Sequence, residues 1–219
     1  MEPLDPADIS FTFSAISTPS MRPGPTWLSY WVLGVVCCEG LGQFLWVEGA
    51  PAWLPGFVAS LPRPLVVGAA LGLFQSLLLF RWLKGGGDWW LPTSIGIIVG
   101  NFLSLHLLSG WTGAAWLPGA AITGFVTGLG QWLVMRRSLR RSAGWILLCP
   151  CAKMAGALVA SLGLSIAAHA ATSPAMRLLV TRGIALIGLA LTDGWLLGAA
   201  LGGMLGPGNY RGPKLRFPS

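Results

Sequence analysis

The sequence predicts an all-α membrane protein: a polytopic transmembrane helical bundle of about six spans, built from repeated helical hairpins. Three observations lead there. The chain is 54% hydrophobic and only 10% charged, with a mean hydropathy of +0.69, whereas a soluble domain carries roughly 25% charged residues. Its apolar residues gather in stretches close to the ~20 residues that cross a ~30 Å hydrocarbon core. One pattern also recurs inside those stretches. Gly68-x3-Gly72-x2-Gln75-x-Leu77-x3-Arg81 reappears 56 residues later as Gly124-x3-Gly128-x2-Gln131-x-Leu133-x3-Arg137.

Residues 1–26 form the first element. Glu2, Asp5 and Asp8 stand where a secretory signal needs positive charge, and no apolar core follows them. The segment is rich in Pro, Ser and Thr and reads as an extended N-terminal arm. The six-span domain covers 27–206. Span one, 27–47, carries a short version of the repeat, Gly40-Leu41-Gly42-Gln43. The piece 48–63 holds Pro51, Pro55 and Pro62. It is too short and too Pro-rich to cross, so it reads as interfacial or re-entrant.

Spans two and three, 64–83 and 89–109, make the first repeat hairpin (64–109). They are joined by Gly85-Gly86-Gly87, which lacks the Lys-Ser/Thr of a phosphate loop. Spans four and five, 117–135 and 143–168, make the second (117–168). At the offset of 56 the hairpins share Gly68/Gly124, Gly72/Gly128, Leu73/Leu129, Gln75/Gln131, Leu77/Leu133, Arg81/Arg137, Leu83/Leu139, Trp89/Trp145, Leu91/Leu147 and Gly100/Gly156. Span six, 177–205, repeats Gly198-Ala199-Ala200-Leu201-Gly202, identical to 68–72, with Leu205 in the Gln position. Spans two, four and six then run in one direction, as in a parallel-repeat bundle. A basic tail, 207–219, ends the chain.

The net charge of +7 is mainly a topology signal. Arg22, Arg81, Lys84, Arg136, Arg137, Arg140, Arg141, Arg211, Lys214 and Arg216 fall on one side. Arg63, Arg177 and Arg182 fall on the other. Positive residues stay in the cytoplasm, so both termini are expected inside. No basic face with interleaved aromatics points to nucleic acid. Of the 12 Trp, those at span ends (Trp27, Trp46, Trp53, Trp82, Trp89, Trp90, Trp111, Trp116 and Trp145) read as interfacial anchors. Cys37, Cys38, Cys149 and Cys151 lack metal or redox spacing and read as small buried thiols.

Candidate residues fall into four groups. Gly68, Gly72, Gly124, Gly128, Gly198 and Gly202 are helix-packing positions, because residues i and i+4 share a face and lack a Cβ. Gln43, Gln75, Gln131 and Asn101 are polar groups in apolar helices. Their expected role is interhelical hydrogen bonding, with contact to a polar ligand as the alternative. Glu39, Lys153 and Asp193 are charges near mid-span, and Lys153 can pair with either acid. They read as a structural ion pair or as proton or substrate handling. His106 and His169 are candidate ligands to a haem or chlorin, or plain structural histidines. No nucleophile elbow, zinc cluster or paired catalytic carboxylates are seen, so an enzyme is not expected.

The motif Gly128-Leu129-Gly130-Gln131-Trp132-Leu133-Val134-Met135-Arg136-Arg137 resembles one in small, uncharacterised polytopic proteins of cyanobacteria and Chloroflexi-like bacteria. The resemblance covers spans two to five and part of spans one and six. In the first hairpin, Ser76 stands where the motif has Trp. It implies a bacterial inner or photosynthetic membrane and brings no activity with it. Two functions are expected from the whole. One is a non-enzymatic accessory subunit of a larger membrane complex, photosynthetic or respiratory, packing against other subunits, lipid, carotenoid or a chlorophyll-type pigment. The other is a small secondary transporter or membrane substrate-binding component using Glu39, Lys153 and Asp193.

Overall fold

The computed structural model describes residues 25–44, 62–80, 82–83, 85–108, 116–170, 173–206 and 209. Among them the chain is helical throughout, with no β-strand element. Helix α1 is Pro25–Phe44 and α2 is Pro62–Leu79. A 3-10 turn at Gly86–Trp89 leads into α3, Trp90–Leu107. Helix α4 is Trp116–Met135 and α5 is Trp145–Ala170. The last long helix has three parts: α6 at Pro174–Leu189, a π segment at Ala190–Leu196, and α7 at Leu197–Met204.

Five of these units are long and apolar enough to cross a bilayer: Pro62–Leu79, Gly86–Leu107, Trp116–Met135, Trp145–Gly163 and Met176–Met204. Helix α1 has the length, but its polar and charged residues, Glu39 among them, leave it short of that apolarity. The helix ends lie within a few residues of the expected spans. The arm at 1–24, the piece 45–61 and the tail beyond Asn209 lie outside the described residues.

Each helix packs on its neighbour in the chain, and the last span returns to α1. The six helical units thus close a ring in sequence order. Small residues line nearly every seam. A Cβ placed on Gly72 would lie 2.6 Å from the Trp90 carbonyl oxygen, and one on Gly68 3.2 Å from the Ser94 Cα. On the α3–α4 seam, a Cβ on Gly96 or Gly100 would lie 2.5 or 2.6 Å from the Thr127 or Thr123 Cα. On α4–α5, one on Gly124 would lie 2.6 Å from Pro150 Cα and one on Gly128 2.8 Å from Cys149 Cβ. One on Gly156 would lie 2.7 Å from Thr192 Oγ1, where α5 meets the π segment. On the closing seam, one on Gly198 would lie 2.6 Å from the Trp31 ring. Such approaches leave no room for a methyl group, so the backbones dock closely, the main source of helix association in lipid.

A similar docking of a glycine helix on its neighbour recurs where α7 meets α1. Gly68 and Gly72 of α2 receive Ser94 and Trp90 of α3, and Gly198 and Gly202 of α7 receive Trp31 and Trp27 of α1. Arg140 of the α4–α5 connection donates its backbone N–H to the Asn209 carbonyl at 2.8 Å, tying that connection to the chain beyond α7.

Gly85 makes the α2–α3 turn. Its φ of +85° is the left-handed conformation that suits glycine. A side chain on Gly86 would run into the Leu79 carbonyl. Outward faces carry large apolar residues such as Leu77, Phe80, Phe125, Leu147 and Leu179, all exposed, as a lipid-facing surface requires.

The reading of the span-end Trp residues needs correction. Trp89 and Trp145 are fully buried and Trp27 nearly so, whereas Trp90 and Trp116 are exposed. The buried rings face the bundle because a partner for the indole N–H, or a stacked ring, waits inside. Trp27 stacks on Trp31 with centroids 5.3 Å apart. The thiols also divide: Cys38 and Cys149 are buried, while Cys37 and Cys151 are exposed.

Candidate functional site

Two polar layers cross the bundle. The first contains the repeated glutamines. Trp89 Nε1 donates to Gln75 Oε1 at 2.9 Å, and Trp145 Nε1 donates to Gln131 Oε1 at 2.8 Å. The two bonds are equivalent under the 56-residue repeat. Gln131 Nε2 donates to Thr93 Oγ1 at 2.9 Å and reaches Gln75 Oε1 at 3.5 Å. The Thr93 hydroxyl in turn donates a hydrogen bond to the Trp89 carbonyl at 2.9 Å. The indoles of Trp89 and Trp145 meet edge to face, 6.3 Å between centroids. Both glutamines therefore face the bundle, as their sequence context predicts. The side chains satisfy one another, so burial of two amides carries little desolvation cost.

The α7–α1 pair lacks this bond: Leu205, seven residues after Gly198 as Gln75 is after Gly68, is buried, while Trp27 Nε1 is buried without a hydrogen-bond partner among the described residues.

The second layer is charged. Lys153 of α5 lies between two carboxylates: its Nζ is 3.5 Å from Glu39 Oε1 of α1 and in contact with Asp193 Oδ2 of the π segment. The sequence left the choice of partner open; the ammonium takes both. Asp193 is 3% exposed, Glu39 9% and Lys153 17% by side chain. Asp193 Oδ1 has no hydrogen-bond partner among the described residues. The π segment places this carboxylate. Its widened turn disturbs the i→i+4 ladder, and Trp31 Nε1 donates to the Asp193 carbonyl at 3.3 Å. Thr192 Oγ1 donates back to the Gly188 carbonyl at 2.9 Å.

Trp145, Cys149 and Lys153 lie at i, i+4 and i+8 of α5, hence on one face. Cys149 Sγ is 3.9 Å from Gln131 Oε1. The two layers are therefore joined along a single stripe, ~12 Å from Trp145 to Lys153 at 1.5 Å rise per residue.

Other candidates fall elsewhere. Asn101 is half-buried and gives its amide to the Ile97 carbonyl of its own helix at 2.7 Å, so this donor serves α3 rather than a neighbouring helix. His106 is exposed on the last turn of α3 and stacks on Phe102, with centroids 4.8 Å apart. The side chains of Gln43 and His169 lie outside the described residues. Gly68, Gly72, Gly124, Gly128, Gly198 and Gly202 all sit at helix seams. Sequence reasoning missed Trp31, Thr93 and the π segment. It also misread Trp89 and Trp145, although each follows its Gln by the same interval of 14, a visible sign of pairing.

No family model matches the chain, and neither a curated protein nor a solved structure matches it.

Proposed function

We propose that this chain is a multi-pass bacterial membrane protein that acts as a small secondary transporter, with Glu39, Lys153 and Asp193 as its coupling site and no catalytic chemistry. The observation that carries the reading is Asp193: a carboxylate deep in an apolar bundle, on a π segment, with Oδ2 against the Lys153 ammonium and Oδ1 without a hydrogen-bond partner among the described residues. Intramembrane charges are expensive to keep and mark ion or substrate paths. π segments inside α-helices cluster at functional positions. In this reading α1 is the sixth crossing, both termini are cytoplasmic, and the glutamine layer is scaffold. Its test is a pH-gradient assay in proteoliposomes challenged in turn with Na+, K+ and methylammonium. Dissipation by the parent protein and none by Asp193→Asn is expected. A parent that dissipates no gradient with any of them contradicts the reading.

The second reading is a non-enzymatic accessory subunit of a larger membrane complex. The closed Gln75–Gln131–Trp89–Trp145 network favours it, since those polar groups are spent on one another. Against it stands the use of the glycine seams within the chain, because small-residue faces are what subunits pack on. Extraction in mild detergent separates the readings: a coloured multi-subunit particle supports the second, a lone chain the first.

A further inference from the structure

We infer that the charge triad is one positive charge short and holds a single exchangeable proton, or a monovalent cation in its place, between Asp193 and Glu39. The inference rests on the transport reading only for its purpose; its charge argument is independent.

Glu39 and Asp193 each bring one negative charge and Lys153 one positive charge. Ionised throughout, the site carries a net charge of −1 inside a low-dielectric bundle. An uncompensated charge there is costly to bury even after relaxation, and neutralisation by a proton relieves that cost. Among the described residues of the helices packed on the site, no other group offers compensation. The elements packed on the π segment are α1, α5, α6 and α7. Their titratable residues besides the triad are the exposed Tyr30, a phenol that supplies no positive charge, with Cys37 and Cys38 on α1, and Cys149 and Cys151 on α5. His169 lies far along α5, about four turns from Lys153. Arg177 and Arg182 of α6 lie about three turns or more along the helix from Asp193. Helix α7 has none. Thiols supply no positive charge.

The open position is Asp193 Oδ1. This oxygen is buried and has no hydrogen-bond partner among the described residues, while Oδ2 is in ionic contact with Lys153. A proton on it needs no rearrangement of the ion pair. A monovalent cation would bind the same oxygen by the same charge, with Lys153 acting as a tethered competitor. Loading leaves the site neutral, and unloading restores −1. Such a site cycles one charge per turnover.

The test is infrared spectroscopy of the full chain in lipid near neutral pH, reading the protonated-carboxyl band. Of the remaining acids, Glu2, Asp5, Asp8 and Glu48 fall outside the expected spans, and Asp88 stands at the start of the Gly86–Leu107 unit, where Asp88→Asn controls for its band. In buffer free of alkali cations the parent should show the band. Asp193→Asn and Glu39→Gln should each abolish it, because either leaves one acid balanced by Lys153. Lys153→Gln should raise it about two-fold, because two carboxyls must then be neutral. Loss of the parent band on adding Na+ or K+ identifies cation exchange at the same oxygen. A parent without the band in cation-free buffer overturns the inference, whether or not the variants fold. So does a band that none of the three substitutions alters. The band pattern without any flux in liposomes would sink the transport reading and leave the site standing.

Discussion

Gln131 reaches back to its repeat partner: its Nε2 lies 3.5 Å from Gln75 Oε1, so equivalent residues of successive hairpins meet at the centre of the bundle. The repeat is thus more than duplicated sequence. Its two copies share one hydrogen-bond network, and each brings its own Trp to it.

Gln131 makes more of these bonds than Gln75. Gln131→Leu removes the partner of the Trp145 N–H and a donor to Thr93, whereas Gln75→Leu removes the partner of Trp89. Interhelical hydrogen bonds in lipid contribute about 0.6 kcal/mol each. Gln131→Leu is therefore expected to cost about 1–2 kcal/mol and Gln75→Leu less. The double variant should cost less than the sum, since they share a bond. Unfolding in mixed detergent micelles measures all three.

Glycine seams and glycine surfaces should respond in opposite ways. Gly124→Ala forces a methyl group against Pro150 at 2.6 Å, and about 1–3 kcal/mol of destabilisation follows. Gly183→Ala meets nothing within 4 Å and should be neutral or gain up to about 1 kcal/mol from helix preference. Thermal unfolding of the two variants beside the parent compares them; equal losses would contradict the seam assignment.

Breaking the ion pair from the lysine side should cost more than removing it whole. Lys153→Leu leaves two buried acids with no cation between them, and loss of one partner of a buried pair costs about 3–5 kcal/mol. Lys153→Leu combined with Asp193→Leu leaves Glu39 alone, free to bind a proton, and should recover part of that loss. A double-mutant cycle on purified protein reads the coupling. Strict additivity would mean that the contact between Lys153 and Asp193 contributes nothing.

Leu205→Gln supplies the amide that the α7–α1 pair lacks. If α7 and α1 are a true third copy, the new amide gives Trp27 Nε1 the partner it is missing. The variant should keep the parent's stability and shift indole emission toward that of a hydrogen-bonded ring. A loss of about 2 kcal/mol or more, the size of burying an unpaired amide, would count against the equivalence.

Much of this was legible in the sequence. Apolar stretches near the length of a bilayer located the helices, and the recurrence of Gly68, Gly72 and Gln75 as Gly124, Gly128 and Gln131 fixed the packing faces. The partner of Lys153 was not legible. Three helices far apart in the chain meet there, and no spacing rule relates residues 39, 153 and 193. The π segment escaped for a related reason: Thr192-Asp193-Gly194 reads as an ordinary polar interruption until Trp31 is seen to take the Asp193 carbonyl. Trp89 and Trp145 were misread because an indole at a helix end suits either the lipid interface or the bundle interior. Only the Gln one interval of 14 earlier distinguishes them.

The most direct measurement is the transient current of proteoliposomes on a supported membrane after a rapid pH or alkali-cation jump. It reads charge entering the bundle without requiring the transported solute to be known. Parent protein and Gly183→Ala are expected to give equal currents, and Asp193→Asn none. Equal currents from all three, or none from the parent, would contradict a charge-exchanging site at Asp193.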